Sequence, residues 1–221
     1  MVKIKNETGT GGFTLVELLI AIFIFSLVIV AVYGTYRATF YTIDISTAEL
    51  DKAKRARIAL KRIADDLFGL ATGKSSYLLG ENTEENGSRV DKLSFVASSY
   101  LKIARENKER GYSMVKFFTE YDDESESFQL FRSSSLVLPG EETAENDAVS
   151  YLLCDRVKSI EFNYVDGDGT AEDEWQFDTE EQRLPVLVYV KLELYGKKGL
   201  AEDTSVFATA VSIPRLAVAE E

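Results

Sequence analysis

Apolar residues fall into three successive patterns along the chain. The first is continuous. Residues 13–33 read FTLVELLIAIFIFSLVIVAVY and are apolar except at Thr14, Glu17 and Ser26. Such a helix has no polar face to turn to water, unlike the helix of a soluble core. It is just long enough to cross a bilayer core of ~30 Å, which takes roughly 20 residues. The second pattern has helical period. Ile45, Ala48, Ala56, Ala59, Leu60, Ile63, Leu67 and Leu70 step by threes and fours along one face. Asp51–Arg55, Lys61–Asp65 and Arg62–Asp66 are spaced for i,i+4 ion pairs on the other. No proline precedes Pro139, Gly34 is the one interior glycine, and Gly69 and Gly73 mark the far end. Gly34 is expected to kink or loosen the helix. A continuous helix over 13–70 would be about 87 Å long at ~1.5 Å per residue, far more than a bilayer needs. Its second half must therefore pack on a soluble domain.

The third pattern alternates. Residues 71–89 are rich in Gly, Ser, Asn and Glu and read as a loop. Strands are predicted at 93–96, 114–118, 128–132, 160–165, 185–195 and 206–213. The clearest is 186–195, where Val188, Val190, Leu192 and Leu194 face one way and Lys191 and Glu193 the other. Acidic clusters at Asp122–Glu126, Glu141–Asp147 and Asp166–Glu174 fill the turns between them. The pattern predicts an α+β protein, with one long helix followed by an antiparallel β domain.

Charge and composition narrow the function. The 221 residues hold 25 Lys and Arg against 37 Asp and Glu, a net of −12. So acidic a surface repels phosphate backbones and argues against nucleic-acid binding. Histidine is absent and Cys154 is the single cysteine. This excludes Ser-His-Asp and Cys-His catalysis, His-ligated zinc, internal disulfides and CxxC chemistry. An enzyme is not expected.

The apolar run is read as a membrane anchor over two rivals, a buried core helix and a secretory signal peptide. A signal peptide is cut after its apolar run at a small-residue site, and nothing of that kind follows Tyr33. Lys3 and Lys5 precede the run, and Arg37 alone follows closely. That bias keeps the N-terminus cytoplasmic and exports the rest. Glu17 is the odd residue. A charge at mid-bilayer costs about 2.5–3.5 kcal/mol on insertion scales, and less near a helix end. An intramembrane carboxylate therefore suggests function, unless Glu17 simply reaches the headgroups.

Gly11-Gly12-Phe13-Thr14-Leu15-Val16-Glu17 resembles the class III signal of type IV prepilins and pseudopilins. The resemblance implies that a prepilin peptidase cuts between Gly12 and Phe13 and methylates the new N-terminus at Phe13. It also implies that Glu17 is the fifth mature residue and acts in assembly. A neighbour's cationic Phe13 amine could pair with Glu17 and offset the burial of both charges. The domains would then be a leader at 1–12, a transmembrane and assembly half-helix at 13–35, and a periplasmic head at 36–221. The head would hold helix over 36–70 and antiparallel β structure over 90–215.

ARIALKRIADDLFGL (56–70) and the stretch 152–194, with its acidic loop, Trp175 and Leu-Pro-led strand, resemble the J-type minor pseudopilin of type II secretion. That resemblance implies a tip subunit of a short periplasmic pseudopilus. Its partners would be the I-, K- and H-type minor pseudopilins, the major pseudopilin, the prepilin peptidase and the inner membrane. A minor pilin of a type IV pilus or competence system, and a membrane-tethered periplasmic binding module or hydrolase, are the other readings.

Candidate chemistry elsewhere is sparse, and no cofactor is expected. Asp166 and Asp168, in an acidic glycine turn, are the one candidate for calcium, which takes six to eight oxygens. The EF-hand order of Asp and Gly is not present, and Asp-Gly is also the strongest short hairpin signal. Trp175 is expected to pack on the sheet and Cys154 to be a small buried residue. Asp65 and Asp66, adjacent on a helix, point apart and are read as a solvated face.

Overall fold

The computed structural model describes residues 12–73, 76–98, 112–137, 148–177, 183–196 and 204–214. The leader up to residue 11 and the acidic run at 141–147 lie outside them. The chain divides into two units, Met1–Thr47 and Ala48–Glu221.

The first unit is helical from Leu15 onward. Its helix, α1 (Leu15–Phe68), is 54 residues long and continues into the second unit. Gly34 lies within it and does not end it. Helical hydrogen bonds on both sides and no bulky neighbour leave a glycine there only a propensity cost of about 1 kcal/mol. Leu15, Leu19, Phe23, Phe25 and Val30 are all exposed. Hydroxyls on this stretch donate back to the carbonyl one turn earlier: Ser26 to Ile22 at 2.8 Å, Thr35 to Ala31 at 2.9 Å and Thr42 to Ala38 at 3.0 Å. That pattern satisfies a polar side chain without water.

In the second unit the helix packs on a sheet. The strands are β1 (Leu78–Glu81), β2 (Glu84–Glu85), β3 (Ser88–Arg89), β4 (Lys92–Ala97), β5 (Tyr112–Asp122), β6 (Ser127–Val137), β7 (Val149–Val165), β8 (Ala171–Glu172), β9 (Trp175–Gln176), β10 (Leu187–Tyr195) and β11 (Thr204–Ser212). Nine form one antiparallel sheet in which β11-β10-β7-β6-β5-β4-β1-β9 are neighbours in that order and β8 pairs β7. Ala56, Ala59, Leu60, Ile63 and Leu67 of α1 meet Leu93, Phe95, Val115, Phe117, Leu130 and Ile160 in one core. Each large aliphatic or aromatic side chain so buried contributes about 1.5–3 kcal/mol. Strand β10 alternates as predicted, with Val188, Val190, Leu192 and Leu194 fully buried. On its other face Lys191 pairs Glu161 and Glu193 pairs Lys158 across β7.

Several expectations are corrected. The helix ends at Phe68 rather than Leu70, because Leu70 already bridges to Ala97 of the sheet. The predicted loop over 71–89 contains three short strands, so β structure starts at Leu78 rather than 90. Asn86 and Gly87 both have positive φ, 50° and 72°, which makes the tight β2–β3 hairpin. Asp51 and Arg55 form no i,i+4 ion pair; Arg55 reaches Asp155 of β7 instead, at 2.5 Å.

Asp66 is not solvated. It and Arg132 of β6 have side chains each 3% exposed and joined by two bonds of 2.6 and 3.1 Å, with Arg62 as a second partner of Asp66 at 3.0 Å. Asp65, by contrast, is exposed and pairs Lys61 at 2.7 Å. The two neighbours do point apart, but one of them points into the protein.

An isolated bridge, Val90 to Ile160, also links the start of the sheet to β7. Asp91, buried beside β4, accepts both the Arg89 guanidinium and the Phe162 N–H of β7, the latter at 2.8 Å. Its carboxylate thus supplies a ladder partner where β6 has ended. Tyr164 of β7 lies against Gly80 of β1 so closely that an added Cβ would sit 2.0 Å from the phenol oxygen.

Candidate functional site

Chemistry the sequence assigns to this chain concentrates at the head of α1. Gly12, Phe13 and Thr14 precede the helix in irregular backbone, and Phe13 is 86% exposed. The Gly12–Phe13 peptide bond therefore lies in accessible, non-helical chain, as a peptidase requires. A Cβ on Gly12 would meet nothing within 4 Å. Among the described residues the fold makes no demand for glycine there.

Thr14 and Glu17 cap the helix reciprocally. The Glu17 N–H donates to the Thr14 hydroxyl oxygen at 3.2 Å, and the Thr14 N–H donates to the Glu17 carboxylate at 3.3 Å. The Thr14 hydroxyl also reaches that carboxylate, at 3.2 Å. This is a Thr-x-x-Glu capping box, which satisfies donors that a helix start leaves unpaired. Sequence reasoning missed this role, although the four-residue signature was in plain view. Glu17 is thus part of the helix end as well as a charge in an apolar run, and its negative charge sits at the favourable pole of the helix dipole.

Asp166 and Asp168 lie far along the chain in a turn between β7 and β8. The Asp166 N–H donates to the Thr170 carbonyl at 2.9 Å and Gly169 takes φ 84°, so the turn is a hairpin, as the Asp-Gly pair suggested. The Asp166 carboxylate is joined to the Arg183 guanidinium, while Asp168 is exposed. Arg183 lies over the Trp175 ring at 5.4 Å, and Trp175 itself is buried beside Tyr164. Among the described residues no three acidic, Cys or His side chains are grouped to hold a metal. Cys154, on β7, is buried in the core, and burial pushes its thiol pKa up to about 12. A thiol held neutral is a poor nucleophile.

Comparison with known proteins points to the same end of the chain. Residues 9–33 match the family described as the prokaryotic N-terminal methylation motif. A search of curated proteins finds no match. Among solved structures, a type IV-like pilin from Thermus thermophilus is similar with a TM-score of 0.47 and 11% identity, over 73% of this chain and 96% of that one.

The chain carries the prokaryotic N-terminal methylation motif at the head of a long helix whose second stretch packs on an antiparallel sheet. The apolar helix that follows the motif fits a single-pass membrane anchor.

Proposed function

We propose that this chain is a minor pseudopilin of the J type, part of the tip of a type II secretion pseudopilus that supports protein export across the outer membrane. In this reading the N-terminus is cytoplasmic and the head periplasmic. A prepilin peptidase removes residues 1–12 and methylates Phe13. The subunit then joins the I-, K- and H-type minor pseudopilins and the major pseudopilin. The observation that carries the reading is the methylation motif over residues 9–33 opening onto an uninterrupted helix. The J-type assignment draws its support from the sequence of residues 152–194.

The work of such a subunit is helix association. Cleavage creates a cationic amine at Phe13, one residue before the capping box. In the lone subunit the Glu17 carboxylate caps its own helix. In the filament it is desolvated, and a neighbour's amine offsets the cost of burying it.

The test separates the charge from the cap. Glu17→Gln keeps a capping acceptor and loses the charge, whereas Glu17→Leu loses both. Both variants should insert into the membrane, because each removes an insertion penalty. Both should be cut after Gly12. Both should fail to crosslink to the other pilin-like subunits, and secretion should fall. Normal crosslinking and secretion by Glu17→Gln would overturn the charge-pairing mechanism. Placement of the gene among secretion or pilus genes separates the pseudopilin from a pilus minor pilin.

A further inference from the structure

Just past the apolar run, α1 changes character on one face. Tyr33, Tyr36, Arg37, Phe40 and Tyr41 step by threes and fours and so share that face. The four rings, in that order, are 64%, 59%, 49% and 61% exposed, and those of Tyr36 and Phe40 meet at 4.3 Å. Arg37 is exposed among them, and no carboxylate pairs with it among the described residues. It is also the one charged residue between Glu17 and Asp44. The opposite face holds Thr35, Thr39 and Thr42, whose hydroxyls donate to helix carbonyls at 2.9, 2.9 and 3.0 Å. Those groups are satisfied without water.

We infer that the aromatic face with Arg37 binds the headgroup of an anionic phospholipid, at the far surface of the membrane that the apolar run spans. The inference rests on the anchor reading and adds a lipid site to it. Length places the face. From Leu15 to Tyr33 the helix rises about 28 Å at ~1.5 Å per residue, which nearly fills a hydrocarbon core of ~30 Å. Tyr33 to Tyr41 therefore falls at headgroup depth, where amphipathic rings settle with their bodies toward the tails and their hydroxyls toward water. Charge names the ligand. A chain of net charge −12 is repelled by an anionic surface wherever it presents carboxylates. Beyond the apolar run these begin only at Asp44, about 10 Å further along the helix than Arg37. The phosphate layer thus meets a lone guanidinium, whose forked N–H donors suit phosphate oxygens.

The experiment uses the full chain, without other subunits, in vesicles of phosphatidylcholine alone or mixed with phosphatidylglycerol. A nitroxide is attached at Ile22→Cys, Thr39→Cys or Thr47→Cys, each in a Cys154→Ser background. Oxygen, which dissolves in lipid, and a nickel chelate, which stays in water, report its depth. The label at 22 should be reached by oxygen alone, that at 47 by the chelate, and that at 39 partly by both. Lipid kept by the chain from the mixed vesicles is then counted by native mass spectrometry, and phosphatidylglycerol should be retained over phosphatidylcholine. Arg37→Gln should lower phosphatidylglycerol retention about fivefold, the equivalent of about 1 kcal/mol for one basic residue at an anionic surface. Arg37→Lys should keep most of it. Tyr36→Ala with Tyr41→Ala should lower retention of both lipids alike. A label at 39 as open to the chelate as that at 47, or as sheltered as that at 22, would overturn this site and leave the anchor standing. So would retention untouched by Arg37→Gln or by loss of the two tyrosines. A label at 22 reached by the chelate would overturn the anchor reading as well.

Discussion

Glu17 shows how one residue holds two roles that a linear reading keeps apart. The apolar run made its carboxylate conspicuous, and the cost of burying it pointed to a partner. The structure supplies a local partner, the Thr14 N–H, through a capping box that was readable from Thr-x-x-Glu alone. The acidic turn has a similar history. Asp166 and Asp168 were legible as a hairpin or as calcium ligands, but Arg183 is seventeen residues from Asp166 and its approach was not visible in the local pattern. We propose that Arg183, rather than a metal ion, neutralises this turn. Millimolar calcium should leave the thermal midpoint of the purified full chain unchanged, whereas Arg183→Ala should lower it. A calcium-dependent rise lost in Asp166→Ala with Asp168→Ala would show instead that the turn is a calcium site.

Cys154 offers a pH test at the same scale. Its thiol is raised from about 9 when unfolded to about 12 in the fold, and burial also raises the Tyr164 phenol. The folded state holds these protons where the unfolded state releases them. The contribution to stability is therefore complete below pH ~9 and is lost as pH rises toward ~12. Alkylation of Cys154 at pH 8 should be negligible until the protein is unfolded, and stability should fall on the alkaline side. Rapid alkylation of the folded chain would contradict this burial.

At the scale of elements, the helix was legible because its signals agree: a continuous apolar run, then threes and fours, and no proline. The sheet was legible where alternation is regular, as in β10. It was missed where geometry departs from period two. Strand β7 runs from Val149, not 160; within it Arg156 takes a positive φ of 54° and the register with β6 shifts there. Such a bulge breaks the pattern that marks a strand. The β2–β3 hairpin was missed because its two-residue strands carry no alternation, although Asn86-Gly87 announces the turn.

Between elements, Asp66 and Arg132 lock α1 to β6 through a buried ion pair. Removing one partner leaves a buried charge, so Asp66→Ala should destabilise the chain by about 3–5 kcal/mol. Replacing both, as Asp66→Leu with Arg132→Met, should recover most of that loss. Denaturant melts of the full chain in detergent check it. A double variant no better than Asp66→Ala would show that the pair is needed for more than charge compensation.

For the whole molecule, the decisive information occupies barely a tenth of the chain. Residues 9–33 hold the methylation motif; in the proposed reading they direct processing and anchoring, and the head determines neighbours. The partners of the head were not legible, because the recognition of one subunit by another depends on the other subunit's sequence too.

All of it presupposes that the chain is cut before its apolar helix, so that the helix remains in the mature subunit. Mass spectrometry of the N-terminus of the protein from its native membranes measures this directly. The account predicts a mature chain that begins at N-methylated Phe13, and an uncut chain beginning at Met1 when Gly12→Leu is introduced. A chain cut after Tyr33, or one that keeps residues 1–12 in the unaltered protein, would contradict it.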